Sequence, residues 1–173
     1  MPKSFKVFGP FEIPLDPQVR VKSIRLRCPD FWDQSIMHSE LADKRGCYIF
    51  AIRASKGFTP IYVGKATRSF KVECFSSHKI AGHYHKALVN SKRGTPVMFF
   101  VVLNSTSSEL REPAKKAVDS VEKYLIQSAL IKNPELSNIK GTKPELWSID
   151  GIVRSSQGSA SKASRTFKKA LGL

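Results

Sequence analysis

Apolar and polar positions change period along the chain, and the changes mark its elements. Two β-branched and aromatic runs, GCYIFAI at 46–52 and TPIYVGK at 59–65, flank RASKGF, whose Ser, Lys and Gly suit a hairpin loop. Side by side, the two strands bring Tyr48 and Tyr62 into one neighbourhood, and Gly64-Lys65 places an ammonium group at the end of the second. The run TPVMFFVVL at 95–103 is apolar throughout, which predicts a strand buried on both faces and central to a sheet. From Glu112 to Lys132 the positions Ala114, Ala117, Val118, Val121, Leu125, Ala129 and Ile131 keep helical spacing, with Pro113 in the first turn. Glu122 lies at the edge of that stripe, an awkward place for a carboxylate without a partner.

The flanking segments are shorter. SFKVFGPFEI at 4–13 predicts an edge strand interrupted at Gly9-Pro10. VRVKSIRLR at 19–27 alternates apolar with basic residues and slips at Lys22-Ser23, as a bulge would. Asp30–Ala42 predicts one amphipathic helix with Asp30 as N-cap; Phe31, Trp32, Ile36 and Leu41 pack inward and His38 stays at the surface. Helices follow over 69–75 and 78–90, broken at Ser76-Ser77 and weakened by Gly82. A turn-rich stretch at 133–154 ends in a strand with Trp147, Ile149, Ile152 and Val153, and SKASRTFKKALGL at 161–173 reads as a basic helix or a tail.

This order predicts one domain of mixed α and β structure with short extensions. With 173 residues and 41% hydrophobic content, the chain can bury a core without staples.

Charge directs the functional reading. The formal net charge is +15, and between Lys44 and Arg93 eleven basic residues face Glu73 as the single acid, a local net of +10. Such a surface gains affinity for a polyanion with each phosphate it neutralises. DNA is the expected partner, with RNA as the alternative, and Arg53, Lys56, Arg68, Lys71, Lys79 and Lys86 are the expected contacts. Cys28, Cys47 and Cys74 are odd in number and lack CxxC spacing, so neither a disulfide framework nor a zinc site is signalled. The N-terminus has no apolar leader and no stretch approaches a membrane span, so a soluble, cytoplasmic protein without a membrane partner is expected.

GCY at 46–48, YVG at 62–64 extended to YVGKA by Lys65-Ala66, Glu122 in VEKYLIQ, and Asn138 follow one another in an order that resembles the GIY-YIG nuclease superfamily. The resemblance covers about residues 44–140 of the chain and implies there an α/β (α+β) core with a small three-stranded mixed or antiparallel sheet flanked by helices, preceded by an N-terminal extension over 1–43 and followed by a C-terminal strand and basic tail over 141–173. It implies a divalent-metal-dependent endonuclease that hydrolyses DNA phosphodiester bonds, with Mg²⁺ or Mn²⁺ held by Glu122, largely through water. It assigns catalytic roles to Tyr48, Tyr62, Lys65, His78 and Glu122, with Tyr48 as general base and Tyr62 orienting water or phosphate, or the two exchanged. Lys65, the second phenol and the basic field are expected to favour a phenolate. The pattern departs from the family at one place: eight residues after Gly64, where the family carries an arginine against the phosphate, this chain has Val72, followed by Glu73. That departure supports two alternatives, a nucleic-acid-binding module that kept the fold and lost efficient cleavage, and a subunit whose arginine comes from a partner.

Overall fold

A computed structural model describes residues 3–15, 28–55, 57–91, 94–104, 112–138 and 161–171. The expected strand over 19–27, the expected strand with Trp147, Ile149, Ile152 and Val153, and Lys56 lie outside these residues.

Contacts divide the chain into two units, Met1–Thr142 and Lys143–Leu173. The first is mixed α and β, built on a four-stranded sheet in the order β1-β4-β2-β3, every neighbouring pair antiparallel. The strands are β1 (Phe5–Glu12), β2 (Gly46–Ala54), β3 (Gly57–Ala66) and β4 (Thr95–Leu103). The expectation of three strands is corrected here: the N-terminal segment joins the sheet by pairing along β4, from Phe5 opposite Leu103 to Glu12 opposite Val97. Its register shifts between Phe8 and Phe11, at the Gly9-Pro10 break read in the sequence. β4 therefore lies inside the sheet, between β1 and β2, and its uninterrupted apolar run follows from burial on both faces.

Helices cover the two faces. On one side lie α1 (Cys28–Trp32), α2 (Ile36–Ala42), α3 (Phe70–Glu73), and a helix formed by α4 (Ser77–Lys79), a π turn (Ile80–Tyr84) and α5 (His85–Asn90). Tyr48, Phe50, Tyr62, Met98 and Phe100 of the sheet pack there against Phe31, Trp32, Phe70, Tyr84 and Leu88. On the other side the long helix α6 (Glu112–Lys132) sets Ala114 and Val118 against Cys47, Val101 and Leu103, and Ile126 and Ala129 against Val63. This helix–sheet–helix layering buries each face of the sheet against an apolar stripe.

The expected single helix over Asp30–Ala42 is two helices. Ser35, not Asp30, is the N-cap of α2, accepting from the His38 amide, while Asp30 sits in the first turn of α1. Ile36 is 81% exposed and His38 is 8% exposed, the reverse of the helical-wheel expectation. His38 Nδ1 pairs with Ser35 Oγ at 2.7 Å, its ring meets Phe11 and Phe31 edge-on, and Nε2 is buried with no hydrogen-bond partner among the described residues. In the second unit the described residues form one basic helix, α7 (Lys162–Leu171), with Phe167 half-exposed.

Candidate active site

The candidate site is built on the β2–β3 hairpin. Tyr48 opposes Gly64 and Phe50 opposes Tyr62, so strand alternation puts both tyrosines on the face covered by α3 to α5. Their rings stack at 6.2 Å between centroids with a 24° interplanar angle. Gly64 makes this possible, since a Cβ there would stand 2.5 Å from Tyr48 Oη and 2.8 Å from Tyr62 Cε1. Gly46, at φ +143°, lets β2 approach the Val101 carbonyl where a Cβ would collide. Both motif glycines thus act inside the strands and not as turn residues.

The helical layer adds groups that the sequence reading underweighted. Tyr48 Oη donates a long hydrogen bond of 3.4 Å to the Glu73 carbonyl, and Lys79 Nζ donates to the same oxygen at 2.6 Å. The Lys79 ammonium also lies 5.4 Å from the Tyr48 ring centroid. His83 lies on Tyr62, ring centroids 4.7 Å apart. The π turn Ile80–Tyr84 explains how Lys79, His83 and the fully buried Tyr84 all serve the inner face, because its wider turn resets the phase of the helix between α4 and α5.

Lys65 takes a different place from the one expected beside the phenols. It lies an odd number of residues from Tyr62, on the opposite face of β3, where its Nζ pairs with Asp119 Oδ1 at 2.8 Å and Glu122 Oε2 at 3.1 Å on α6. The hydrogen bond to Asp119 raises its pKa above the ordinary lysine value, against a smaller opposing effect of burial. Glu122 is nonetheless close enough to Tyr62 to push that phenol upward by its charge, after the larger effect of burial. The carboxylate and the tyrosine pair thus lie on opposite sides of β3, an edge strand of the sheet.

Electrostatics run against a preformed phenolate. Tyr48 has no exposed surface, and burial pushes its pKa far above the usual phenol value. Tyr62 is 9% exposed and is also shifted upward, first by burial. Burial lowers the Lys79 pKa, with Glu73 opposing, and lowers that of His83, with the charges of His78 and Lys79 adding to the effect. His83 is therefore a neutral imidazole near pH 7. Of the described thiols, neither Cys47 nor Cys74 offers a nucleophile: burial first, then Glu122, pushes Cys47 up to about 12, and Cys74 is raised well above its ordinary value by burial.

The remaining expected residues are spread over the surface. His78 is exposed, its Nδ1 3.3 Å from Ser76 Oγ, and sits on the same helix as His83 without joining the tyrosine pair. Arg53, at the hairpin end of β2, pairs with Glu12. Arg68, Lys71 and Lys86 are exposed, Arg68 with its Nε 3.5 Å from Glu73 Oε1. Lys79, expected as a surface contact, is 7% exposed and belongs to the interior of the site.

The free edge of β3 is closed by the segment after α6. The Val63 amide donates to Asn138 Oδ1 at 2.9 Å, Asn138 Nδ2 donates to the Val63 carbonyl, and the Ser137 amide donates to the Ile61 carbonyl at 2.8 Å. Farther along this edge, Thr59, Ile61, Lys86, Asn90, Asn133 and Ser137 border an open cavity of about 280 Å³.

Oxygen donors suited to a hard divalent cation are present in Glu122 and Asp119, three residues apart on one face of α6, with Glu122 the more buried of the two. Lys65 already engages both, so a cation bound there shares them with an ammonium group. Among the described residues no group of three or more His, Cys, Asp or Glu side chains comes together. No helix among them is long and apolar enough to cross a membrane. No protein-family model, curated protein or solved structure matches this chain.

Proposed function

We propose that the unit Met1–Thr142 is a GIY-YIG-type, divalent-metal-dependent endonuclease that hydrolyses DNA phosphodiester bonds. One observation carries the reading. The stacked Tyr48–Tyr62 pair is fitted over Gly64 on one face of β3, and Glu122 of α6 pairs with Lys65 on the other face of the same strand. The order GCY, YVGKA, Glu122, Asn138 gives the same residues a common purpose, and the net charge of +15 suits a polyanionic substrate.

Glu122, with Asp119 beside it, would hold Mg²⁺ or Mn²⁺, which supplies a Lewis acid for the phosphoryl oxygens. The protein's own groups divide the rest. Tyr48 is a buried, neutral phenol committed to the Glu73 carbonyl, and it positions Tyr62. Tyr62, the more accessible phenol, is a neutral donor to a phosphate oxygen, where charge develops in the transition state. Hydrolysis forms one P–O bond from water and breaks one P–O ester bond; the water proton needs an acceptor and the departing alkoxide a proton. The neutral imidazole of His83, against the Tyr62 ring, accepts the water proton, and the departing alkoxide takes its proton from solvent water.

A second reading, a nucleic-acid-binding module without turnover, is favoured by the Lys65–Glu122 contact of 3.1 Å, which engages the carboxylate the metal needs. Val72, 49% exposed where the family has an arginine, favours it too. Incubation of supercoiled plasmid with Mg²⁺ or Mn²⁺ separates the readings. Nicked or linear product from the wild type and none from Glu122→Ala supports the nuclease, and equal product from both sinks it. Salt-sensitive binding with no product selects the binding module.

A further inference from the structure

A β-bulge adjoins Tyr62. In the pairing of β2 with β3, Phe50 stands opposite Tyr62 and Ala51 opposite Pro60, so Ile61 is the extra residue. A bulge re-aims the side chain it inserts. Ile61 accordingly packs against the apolar cluster that contains Tyr62, on the same face of the sheet. The helical layer runs alongside: His83, Ala87 and Asn90 follow at i, i+4 and i+7, with His83 on the Tyr62 ring and Ala87 against the same cluster as Ile61. The open cavity of about 280 Å³ is bordered by Ile61, Ala87 and Asn90. It therefore begins one helical turn, about 6 Å along the axis, beyond His83.

The lining decides what this cavity can hold. Its one ammonium, Lys86, is matched by one carboxylate, Glu135, so it carries no excess charge and is not a phosphate site. Ile61 and Ala87 give it an apolar wall. Asn133 spends its amide on the chain itself, donating to the Pro60 carbonyl at 2.7 Å and accepting from the Glu135 amide at 3.1 Å. Asn90 does not: its amide, like the hydroxyls of Thr59 and Ser91 that also border the cavity, has no hydrogen-bond partner among the described residues. Thr59 and Asn90 are exposed, so a ligand reaches them from solvent. Free amide and hydroxyl groups beside an apolar wall suit a flat, uncharged heterocycle, and an asparagine amide pairs with adenine by two hydrogen bonds. The volume lies at the lower end for small-ligand sites, room for one ring system.

We infer that the cavity receives a nucleobase turned out of the stack next to the phosphodiester at Tyr62, with Ile61 and Ala87 against its face and Asn90 on its edge. This rests on the reading of the site as one for DNA and adds the form of the strand it takes. Extrusion is easiest where a base is already unpaired, so DNA with a bulged or mismatched nucleotide is the favoured substrate.

The test uses the full chain with ¹³C-methyl-labelled isoleucine and two short duplexes in EDTA, so that binding is read without hydrolysis. One duplex carries a single bulged adenine nucleotide and the other an abasic residue at the same place, which keeps charge and distortion alike and removes the base. The adenine bulge is expected to bind roughly tenfold to a hundredfold more tightly, the worth of one base held in a pocket. Asn90→Ala is expected to bring it down toward the abasic duplex. The Ile61 δ1-methyl resonance, assigned by its loss in Ile61→Val, is expected to move upfield with the adenine bulge, under the ring current of the base, and not with the abasic one. Equal affinity for the two duplexes, or an Ile61 methyl that stays still while the adenine bulge saturates the wild type, overturns the inference, and neither reading depends on a variant folding. A preference for the base and a moved methyl without plasmid cleavage in Mg²⁺ keep the base pocket and remove the nuclease. Cleavage with an unmoved methyl does the opposite, and a protein that binds neither duplex overturns both.

Discussion

The hydroxyl of Tyr48 lies 2.5 Å from the place a Cβ on Gly64 would take, so the glycine of the second motif is the space into which the tyrosine of the first motif fits. Gly64→Ala forces the Tyr48 ring to move in a core with no slack. The expected loss is about 1–3 kcal/mol, the usual cost of overpacking, read as a lower urea midpoint with an unchanged slope. An unchanged midpoint means that the ring has room and that the glycine serves some other purpose.

Asn138 closes β3 by bonding both the amide and the carbonyl of Val63. Asn138→Ala leaves those two groups of an edge strand without partners. It is expected to cost about 1–3 kcal/mol and to abolish slow hydrogen exchange at the Val63 amide. Retained protection at Val63 contradicts this role.

His38 makes stability fall in acid. Burial lowers its pKa below the unfolded value of about 6.5, so between the two values the unfolded chain binds more protons than the folded one. The contribution is fully present above pH 6.5 and is lost as the pH drops through the lower, folded pKa. The difference in unfolding free energy between wild type and His38→Gln is expected to shrink over that acid range. A difference constant from pH 7.5 to 5 contradicts the assignment.

Lys65 spans Asp119 and Glu122 from a position 39% exposed to solvent. Exposed pairs contribute little, so Lys65→Met is expected to change stability by less than about 1 kcal/mol. Without the competing ammonium, Mn²⁺ is expected to bind more tightly, as measured by calorimetry. Weaker Mn²⁺ binding shows instead that Lys65 positions the carboxylates.

Much of the fold could be read from periodicity. α6 runs over Glu112–Lys132 and β4 over Thr95–Leu103 as expected, because a long helical stripe and an unbroken apolar run each leave few alternatives. The count of strands was less legible. β1 is exposed along much of its length, and its partner lies some ninety residues away at β4, a pairing that local pattern does not encode. Within the site, the tyrosine pair was legible from the hairpin, whereas Lys79 was not, since a lysine in a basic helix reads as solvent-facing and the π turn shifts the helical phase around it. Lys65 had an available signal: an odd separation from Tyr62 on one strand already places it on the other face.

In the proposed function Tyr62 and Glu122 act together on one phosphodiester at the edge of β3. A double-mutant cycle on the plasmid-cleavage rate, with Tyr62→Phe, Glu122→Gln and the pair, tests it most directly, because residues that act as a unit give grossly non-additive losses. The double variant is expected to be no slower than the slower single variant. Losses that multiply, or a Glu122→Gln protein that cleaves at the wild-type rate, would contradict it.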